Sequence, residues 1–234
     1  MHPLVSILTP TQNRRIFIPW LIEMVKNQTY PQNRIEWIIA DDGEEDLSDL
    51  VQDVPMIRYI QLKDKISIGS KRNLLASEAG GDILIHFDDD DYYPPSRISH
   101  AVHRLVISKK LLAGSNQLMM YNLFDSKISR LGPYGGPRHA LGATMAYRKE
   151  YILKNRFDDS AYKGEEKYFT NNFTSDMIQL DTLSTVICIS HNKNTVPKDK
   201  VAQSPSDLKF VDIIHCEKAE AHYSLLAKTL LANK

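Results

Sequence analysis

Asp82-Ile83-Leu84-Ile85-His86-Phe87-Asp88-Asp89-Asp90-Asp91-Tyr92-Tyr93-Pro94-Pro95 decides the fold. The run from Ile83 to Phe87 is short, apolar and cut off by charge. That is the pattern of a strand buried on both faces, and such strands belong to parallel sheets covered by helices. Before it, Gly80-Gly81 closes a helix over residues 70–79 that is entered through Gly69. After it, Pro94-Pro95 opens another helix, in which Ile98, Ala101, Val102, Leu105 and Val106 recur at helical spacing. A strand between two helices implies right-handed βαβ crossovers.

Upstream, the same alternation repeats. Residues 4–8 read as a buried strand ending at Thr9-Pro10-Thr11, and residues 19–25 as a helix with a proline-set start. Residues 35–40 form a second strand stopped by Asp41-Asp42-Gly43, residues 47–51 a helical piece and residues 57–62 a third strand. The expected class is α/β, with a Rossmann-like, mostly parallel central sheet flanked by helices. In such sheets ligands bind beyond the carboxyl ends of the strands. Thr9 to Arg14, Asp41 to Gly43 and Asp88 to Asp91 all fall at those ends and face one crevice.

Beyond Leu111 the alternation weakens. Residues 118–121 read as an antiparallel strand, and residues 132–142 are rich in Gly and Pro. This half is expected to complete the sheet with an antiparallel extension and to build a second wall of the crevice. Residues 197–207 show little periodicity and read as a mobile loop. Residues 219–231 form a last helix with His222, Leu225, Leu226 and Leu230 on one side.

Composition narrows the function. The 234 residues carry 29 Lys+Arg and 29 Asp+Glu, a formal net charge of zero, with 42% hydrophobic residues, 10 Gly and 11 Pro. These values exclude collagen-like, disordered and disulfide-scaffold chains. Neutrality removes the broad positive field of a nucleic-acid binder, so no nucleic-acid partner is expected. Cys188 and Cys216, the only cysteines, form no CxxC pair and suit a reducing compartment. The first residues lack a basic leader region, and no stretch nears the roughly 20 apolar residues of a membrane span. A cytoplasmic location without an integral membrane segment is expected, with peripheral association left open. The Asn-x-Thr triplets at Asn27 and Asn172 are then incidental.

Asp88 to Asp91 place four carboxylates side by side. Their mutual repulsion calls for a cation or for solvent. Hard oxygen ligands of this kind suit Mg²⁺, Mn²⁺ or Ca²⁺. A calcium EF-hand is excluded because Tyr93 and Ser99 stand where Gly and Glu are required. The plainer alternative is a solvated acidic turn ahead of the next helix, and the position at a central strand's carboxyl end argues against it. Cys188, His191, His215 and Cys216 offer a competing zinc set, although adjacent His-Cys ligands suit one tetrahedron poorly.

Val5-Ser6-Ile7-Leu8-Thr9-Pro10-Thr11-Gln12-Asn13-Arg14, Ile39-Ala40-Asp41-Asp42-Gly43, Gly69-Ser70-Lys71-Arg72-Asn73 and Phe87 through Pro95 follow one another in a telling order. In order and approximate spacing the sequence resembles the family 2 glycosyltransferases with a GT-A fold, over residues 4–195. The resemblance implies one GT-A domain over residues 1–234. Residues 1–110 would be the nucleotide-binding half, 111–196 the acceptor-side half and 197–234 the mobile loop and terminal helix. It also implies a metal-dependent, inverting transfer of a sugar from a UDP-sugar to a hydroxyl of a glycan or other acceptor.

The resemblance carries roles to particular positions. Thr9, Pro10, Thr11, Asn13, Arg14 and Asp41 belong to the donor site, and Asp42 recognises uracil. Arg72 meets the donor's negative charge; a solvated helix face around Lys71 and Arg72 is the alternative. Asp90, with Asp88 and His191, holds Mn²⁺ or Mg²⁺, while Asp88 and Asp89 also reach the ribose and sugar. Asp89-Asp90-Asp91 fits the Asp-x-Asp signature equally well, and His191 also suits a structural role. Gly164-Glu165-Glu166 supplies the catalytic base at Glu166, where the family carries Asp, with Glu165 as the alternative. Gly142, Ala143 and Thr144 line the acceptor side.

Two rival functions stay open. A nucleotidyltransferase also joins an α/β nucleotide site to acidic metal ligands, but it needs a Gly-rich phosphate loop where Thr11-Gln12-Asn13-Arg14-Arg15 stands. A non-catalytic nucleotide-sugar or carbohydrate-binding module would keep the cleft without needing Glu165-Glu166. Oligomeric state is open, a homodimer through the last helix included.

Overall fold

The computed structural model describes residues 2–198, 201 and 203–232. A seven-stranded sheet forms its centre, in the order β3-β2-β1-β4-β8-β5-β9. The strands are β1 (Val5–Thr11), β2 (Ile35–Asp41), β3 (Ile57–Gln61), β4 (Ile83–His86), β5 (Leu112–Gly114), β8 (Ala146–Arg148) and β9 (Ile178–Gln179). Strands β3, β2, β1 and β4 are parallel, and β8 runs antiparallel to both β4 and β5.

The continuous apolar runs are explained by burial on two sides. Ile7, Trp37, Ile39 and Ile85 pack in one cluster with α1 (Ile18–Lys26) and α4 (Arg97–Ser108). Their sequence neighbours Leu8, Ile38, Ala40 and Leu84 face the other way, against Leu75 and Ala76 of α3 (Ile68–Glu78). The short α2 (Ser48–Val51) sends Val51 into the first cluster.

Several expectations are corrected. Strand β1 is not ended by Thr9-Pro10-Thr11 but runs through Thr11, level with Asp41 of β2. Pro10 is tolerated there because its missing N–H faces the side of β4, whose pairing with β1 stops at Leu8 and His86. Helix α3 is entered through Ser67, whose Oγ accepts the Ser70 amide at 2.9 Å, and not through Gly69. Gly69 lies inside the first turn, where a β-carbon would sit 1.9 Å from the Asp158 carbonyl.

Only β8 gives the central sheet its antiparallel extension. The predicted strand at residues 118–121 becomes β6 (Leu118–Asn122) of a separate sheet of order β10-β6-β7-β11. It pairs antiparallel with β7 (Ile128–Leu131) and parallel with β10 (Ile187–Ser190). The stretch expected as a mobile loop contains β11 (Gln203–Pro205), which is hydrogen-bonded to β7. Asp199, Lys200 and Ala202 of that stretch lie outside the described residues.

The later helices are α5 (Glu166–Phe169), between β8 and β9, and α6 (Phe210–Ile213) and α7 (Glu217–Ala232) after β11. The stripe that α7 buries is Ala219, Tyr223, Leu226 and Leu230, while Leu225 is exposed, contrary to the sequence reading. His222 stacks on Trp20 of α1 at 4.5 Å. Among the described residues no helix is long and apolar enough to cross a membrane.

Candidate active site

A cavity of about 1150 Å³ opens at the carboxyl ends of β1, β2 and β4. Its walls include Pro10 to Arg14, Asp42, Lys71, Arg72, Asp88 to Asp91, Gly142, Ala143, Glu165 and Glu166. The register explains the convergence: Thr11 and Asp41 end level, and Phe87 donates to the Leu8 carbonyl at 3.0 Å, so the aspartates emerge beside Thr11. A two-way backbone bridge between Tyr92 and Ile187 then ties the aspartate run to β10 of the second sheet.

The four aspartates have four different environments. Asp89 accepts from Thr11 Oγ1 at 2.6 Å, and burial followed by repulsion from Asp90 pushes its carboxyl well up. Asp91 turns back to accept the Ile189 amide at 3.0 Å and is pushed up to about 8 by burial and by Asp90. Burial also raises Asp88, although Arg72 Nη2 donates to it at 3.1 Å. Burial works against the charge of Asp90 too, yet the bond from His191 and the charge of Arg14 hold it below the usual carboxylate range. The repulsion expected from four adjacent carboxylates is thus relieved unequally: Asp88, Asp89 and Asp91 are pushed up and Asp90 is held down.

Around Asp90 Oδ2 stand Arg14 Nη1 at 3.2 Å, His191 Nε2 at 3.1 Å and Asn194 Nδ2 at 3.2 Å. The Phe17 ring spaces the first two: the Arg14 guanidinium lies 5.6 Å over it, and His191 stacks on it at 4.8 Å. Asp90 and His191 are therefore in direct contact at the cavity. An ion held there would find an oxygen and an imidazole nitrogen, a donor set suited to Mn²⁺ or Mg²⁺ when other oxygens complete it. Among the described residues no three His, Cys, Asp or Glu side chains gather closely enough to hold an ion by themselves, the Cys188 and His191 zinc set included.

Lys71 and Arg72 are buried and do not form the solvated face that their sequence suggested. Lys71 Nζ donates to Asp42 Oδ1 and, at 2.8 Å, to the Thr11 carbonyl, while burial draws its ammonium down. The Ile66 amide donates to the other Asp42 oxygen at 3.0 Å. Arg72 spans the cavity floor, donating from Nε to Glu165 Oε1 at 2.8 Å as well as to Asp88. Glu166 differs from Glu165: burial, then the Glu165 charge, raises it to about 7, and no described side chain hydrogen-bonds to it.

Not every expected residue reaches the cavity. Thr9 is fully buried and its Oγ1 accepts from Trp37 Nε1 at 2.9 Å. Asp41 is tied inward to the Gly43 amide and the Tyr59 hydroxyl. Asn13 does line the cavity, and it also holds the neighbouring turn by accepting the Glu44 amide at 2.8 Å. Thr144 is buried, accepting the Ser115 amide at 2.8 Å and donating to the Leu141 carbonyl. Gly142 lies against the Glu165 and Arg72 side chains, where a β-carbon would stand 3.1 Å from Glu165 Oε1. Sequence reasoning missed Asn194 and Lys71 as partners of Asp90 and Asp42, and it missed His86 beneath Arg72. Asn194 carries a signal in hindsight, since it shares one turn with His191.

Known proteins resemble this chain in sequence and in fold. Residues 6–118 match the model described as glycosyl transferase family 2. A putative colanic acid biosynthesis glycosyl transferase, WcaA of Escherichia coli (strain K12), is 34% identical over 72% of this chain and 61% of its own length. The crystal structure of S. aureus TarS 1-349 in complex with UDP-GlcNAc superposes with a TM-score of 0.66 at 17% identity, over 81% of this chain and 59% of that one. The mannosyltransferase PcManGT from Pyrobaculum calidifontis, in complex with GDP-Man and Mn²⁺, superposes with a TM-score of 0.62 at 14% identity, over 86% of this chain and 59% of that one. The chain thus spans about three fifths of the length of these relatives.

Proposed function

The chain belongs to the family 2 glycosyltransferases and has their GT-A fold, and from that premise we propose that it moves a sugar from a UDP-sugar to an acceptor hydroxyl with inversion. The observation that carries the reading is the pairing of Glu165 and Glu166 in one cavity with Asp42 and Asp90. Arg72 locks Glu165, while no described side chain hydrogen-bonds to Glu166, whose carboxyl is raised to about 7. A base works best when its pKa lies near the operating pH, so Glu166 suits removal of the proton from an attacking hydroxyl. Attack on the anomeric carbon from the face opposite the nucleotide then inverts the centre in one displacement.

On the donor side, Asp42 is fixed by Lys71 and the Ile66 amide, and its remaining lone pairs accept the uracil imide N–H. Pro10, Thr11 and Arg14 line the same wall. Asp90 and His191, with Asp88 nearby, would hold Mn²⁺ or Mg²⁺, which when bound supplies charge to stabilise the departing nucleoside diphosphate. This favours the Asp88-Asp89-Asp90 register, because Asp91 is turned back onto β10. Gly142 and Ala143 admit the acceptor, a glycan or other hydroxyl compound, next to the glutamates. A nucleotidyltransferase has no counterpart here for its glycine-rich phosphate loop, since Gln12, Asn13 and Arg14 occupy that turn.

The test is competition and turnover in one assay. UDP-glucose and UDP-GlcNAc are offered with Mn²⁺ and a panel of p-nitrophenyl glycosides, and UDP release is followed against added UDP, GDP and CMP. Inhibition by UDP ahead of GDP and CMP is expected; stronger inhibition by GDP would refute the role of Asp42.

A further inference from the structure

We propose that His86, the last residue of β4, is a positioning residue that sets the distance between the Arg72–Glu165 pair and the acceptor-side turn at Gly142. The inference rests on the reading of Glu166 as the base. His86 is fully buried, an unexpected place for an imidazole in the run Ile83-Leu84-Ile85-His86-Phe87. Its Nδ1 stands 2.8 Å from the Gly142 carbonyl and 3.2 Å from Arg72 Nη1, and its Nε2 stands 3.3 Å from the Tyr147 hydroxyl.

The chemistry of these partners defines what the ring does. A carbonyl only accepts and a guanidinium only donates, so Nδ1 serves one of them at a time. The shorter contact is to Gly142, which places the proton on Nδ1 and leaves Nε2 to accept from Tyr147 O–H. In the other tautomer Nε2 donates to Tyr147 and Nδ1 accepts from Arg72. Either way the ring stands as a spacer between the two walls of the cavity, bonded to one and in contact with the other, and it is packed against the rings of Tyr147 at 5.5 Å and Phe157 at 5.8 Å.

The turn it grips is fixed from every other side. Arg97, fully buried, donates from Nη2 to the carbonyls of Thr144 and Met145 at 2.9 and 3.0 Å, and Thr144 binds the Ser115 amide. Gly142 therefore cannot drift on its own account, and a β-carbon there would already stand 3.4 Å from Arg72 Nη2. Among the described residues, His86 Nδ1 stands within hydrogen-bond distance of both this turn, at the Gly142 carbonyl, and the arginine that holds Glu165, bonding one of them at a time. A shift of about 1 Å in such a spacing costs up to roughly 100-fold in rate, because the acceptor hydroxyl then meets the base off line.

The experiment compares His86→Leu, His86→Asn and Tyr147→Phe. UDP release from UDP-glucose or UDP-GlcNAc is measured with and without the best p-nitrophenyl glycoside, with UDP affinity by calorimetry. In His86→Leu, acceptor-stimulated release is expected to fall about 10- to 100-fold while UDP affinity and acceptor-free release to water stay nearly constant. His86→Asn, whose amide N–H replaces Nδ1–H, should recover most of the rate. Tyr147→Phe keeps the ring but loses the hydroxyl on Nε2, and should lower acceptor-stimulated kcat several-fold at unchanged donor KM. Parallel loss of both release reactions, no loss in any folded variant, or failure of His86→Asn to recover the rate overturns the inference. Glu166→Gln run alongside separates the two readings: full transfer by that variant sinks the base assignment, whatever the His86 variants do.

Discussion

Arg72 Nε donates to Glu165 Oε1 at 2.8 Å, whereas no described side chain hydrogen-bonds to the adjoining Glu166. Two neighbouring glutamates are thereby given different work: one anchors the arginine that also holds Asp88, and the other is free to exchange a proton. Glu166→Gln is expected to bind UDP as the parent does and to lose transfer by about 100-fold or more, the usual scale for a general base. Glu165→Gln should instead loosen Arg72 and lower stability. Calorimetry for UDP and a transfer assay on both variants check this; an active Glu166→Gln moves the base elsewhere.

The raised carboxyl of Glu166 also fixes the sign of two pH effects. As a base it acts deprotonated, so kcat should rise with pH through a midpoint near 7, the value to which burial and Glu165 bring it. Stability runs the other way. The ordinary value is 4.5, so between about pH 4.5 and 7 the folded state keeps a proton that the unfolded state has released, and stability falls as pH rises through that window. Glu166→Gln should therefore gain stability relative to the parent above pH 7, by at most about 3 kcal/mol. Urea melts at pH 5 and pH 8 measure it; an equal gain at both sinks the assignment.

Lys71 and Asp42 form an ion pair whose side chains are 6% and 1% exposed. Lys71→Met leaves the Asp42 carboxylate buried beside the Ile66 amide without its counter-charge. The expected cost is about 3 kcal/mol, because a buried charge that loses its partner keeps its full desolvation penalty. Adding Asp42→Asn should return much of that stability and none of the UDP affinity. Denaturant melts and UDP calorimetry on both variants test the pair, and a loss below about 1 kcal/mol in Lys71→Met contradicts it.

What could be read from the sequence and what could not divide on physical grounds. The parallel strands β1, β2 and β4 were legible because burial on both faces leaves unbroken apolar runs ended by charge. Asp42 and Asp90 were legible as cleft residues because carboxylates concentrate at those ends, whereas Glu166, at the start of α5, was singled out only by the family resemblance. Lys71 and Arg72 were not, since adjacent cations look solvated until Asp42 and Glu165, 29 and 93 residues away, are seen to meet them. The second sheet was hidden for the same reason: β6 pairs with β10 across a long stretch of chain, and no local pattern records it. His86 gave no signal at all, because one imidazole in an apolar run says nothing about which carbonyl it will find.

Gly69 is a packing requirement of α3. A β-carbon there would meet the Asp158 carbonyl at 1.9 Å, and the Gly69 amide itself donates to the Ala161 carbonyl at 3.0 Å. Both contacts press the start of α3, two residues before Lys71, onto the segment leading to Glu165. Gly69→Ala must push the two apart, at a cost of about 2–3 kcal/mol by overpacking. For a chain of this size that lowers the melting temperature by about 4–10 °C. Activity should fall with it, since Arg72 and Glu165 lie on the separated parts; a variant that melts like the parent refutes the contact.

Asp90 and Asp91 are neighbours with opposite prospects. Asp90 is held ionised by His191 and Arg14 at the cavity face, while Asp91 faces β10 and is pushed up to about 8. At pH 7 an Asp91 carboxyl is therefore largely neutral already, and Asp91→Asn replaces it with a group that still accepts the Ile189 amide. That variant should bind UDP with Mn²⁺ as the parent does and keep its stability within about 1 kcal/mol, the scale of a retained hydrogen bond. Asp90→Asn removes the ionised oxygen that faces His191, so Mn²⁺ should no longer strengthen UDP binding. Titrating each variant with UDP, with and without Mn²⁺, gives the answer directly. If Mn²⁺ enhancement survives in Asp90→Asn and disappears in Asp91→Asn, the Asp-x-Asp register shifts by one residue and the ion belongs to Asp89 and Asp91.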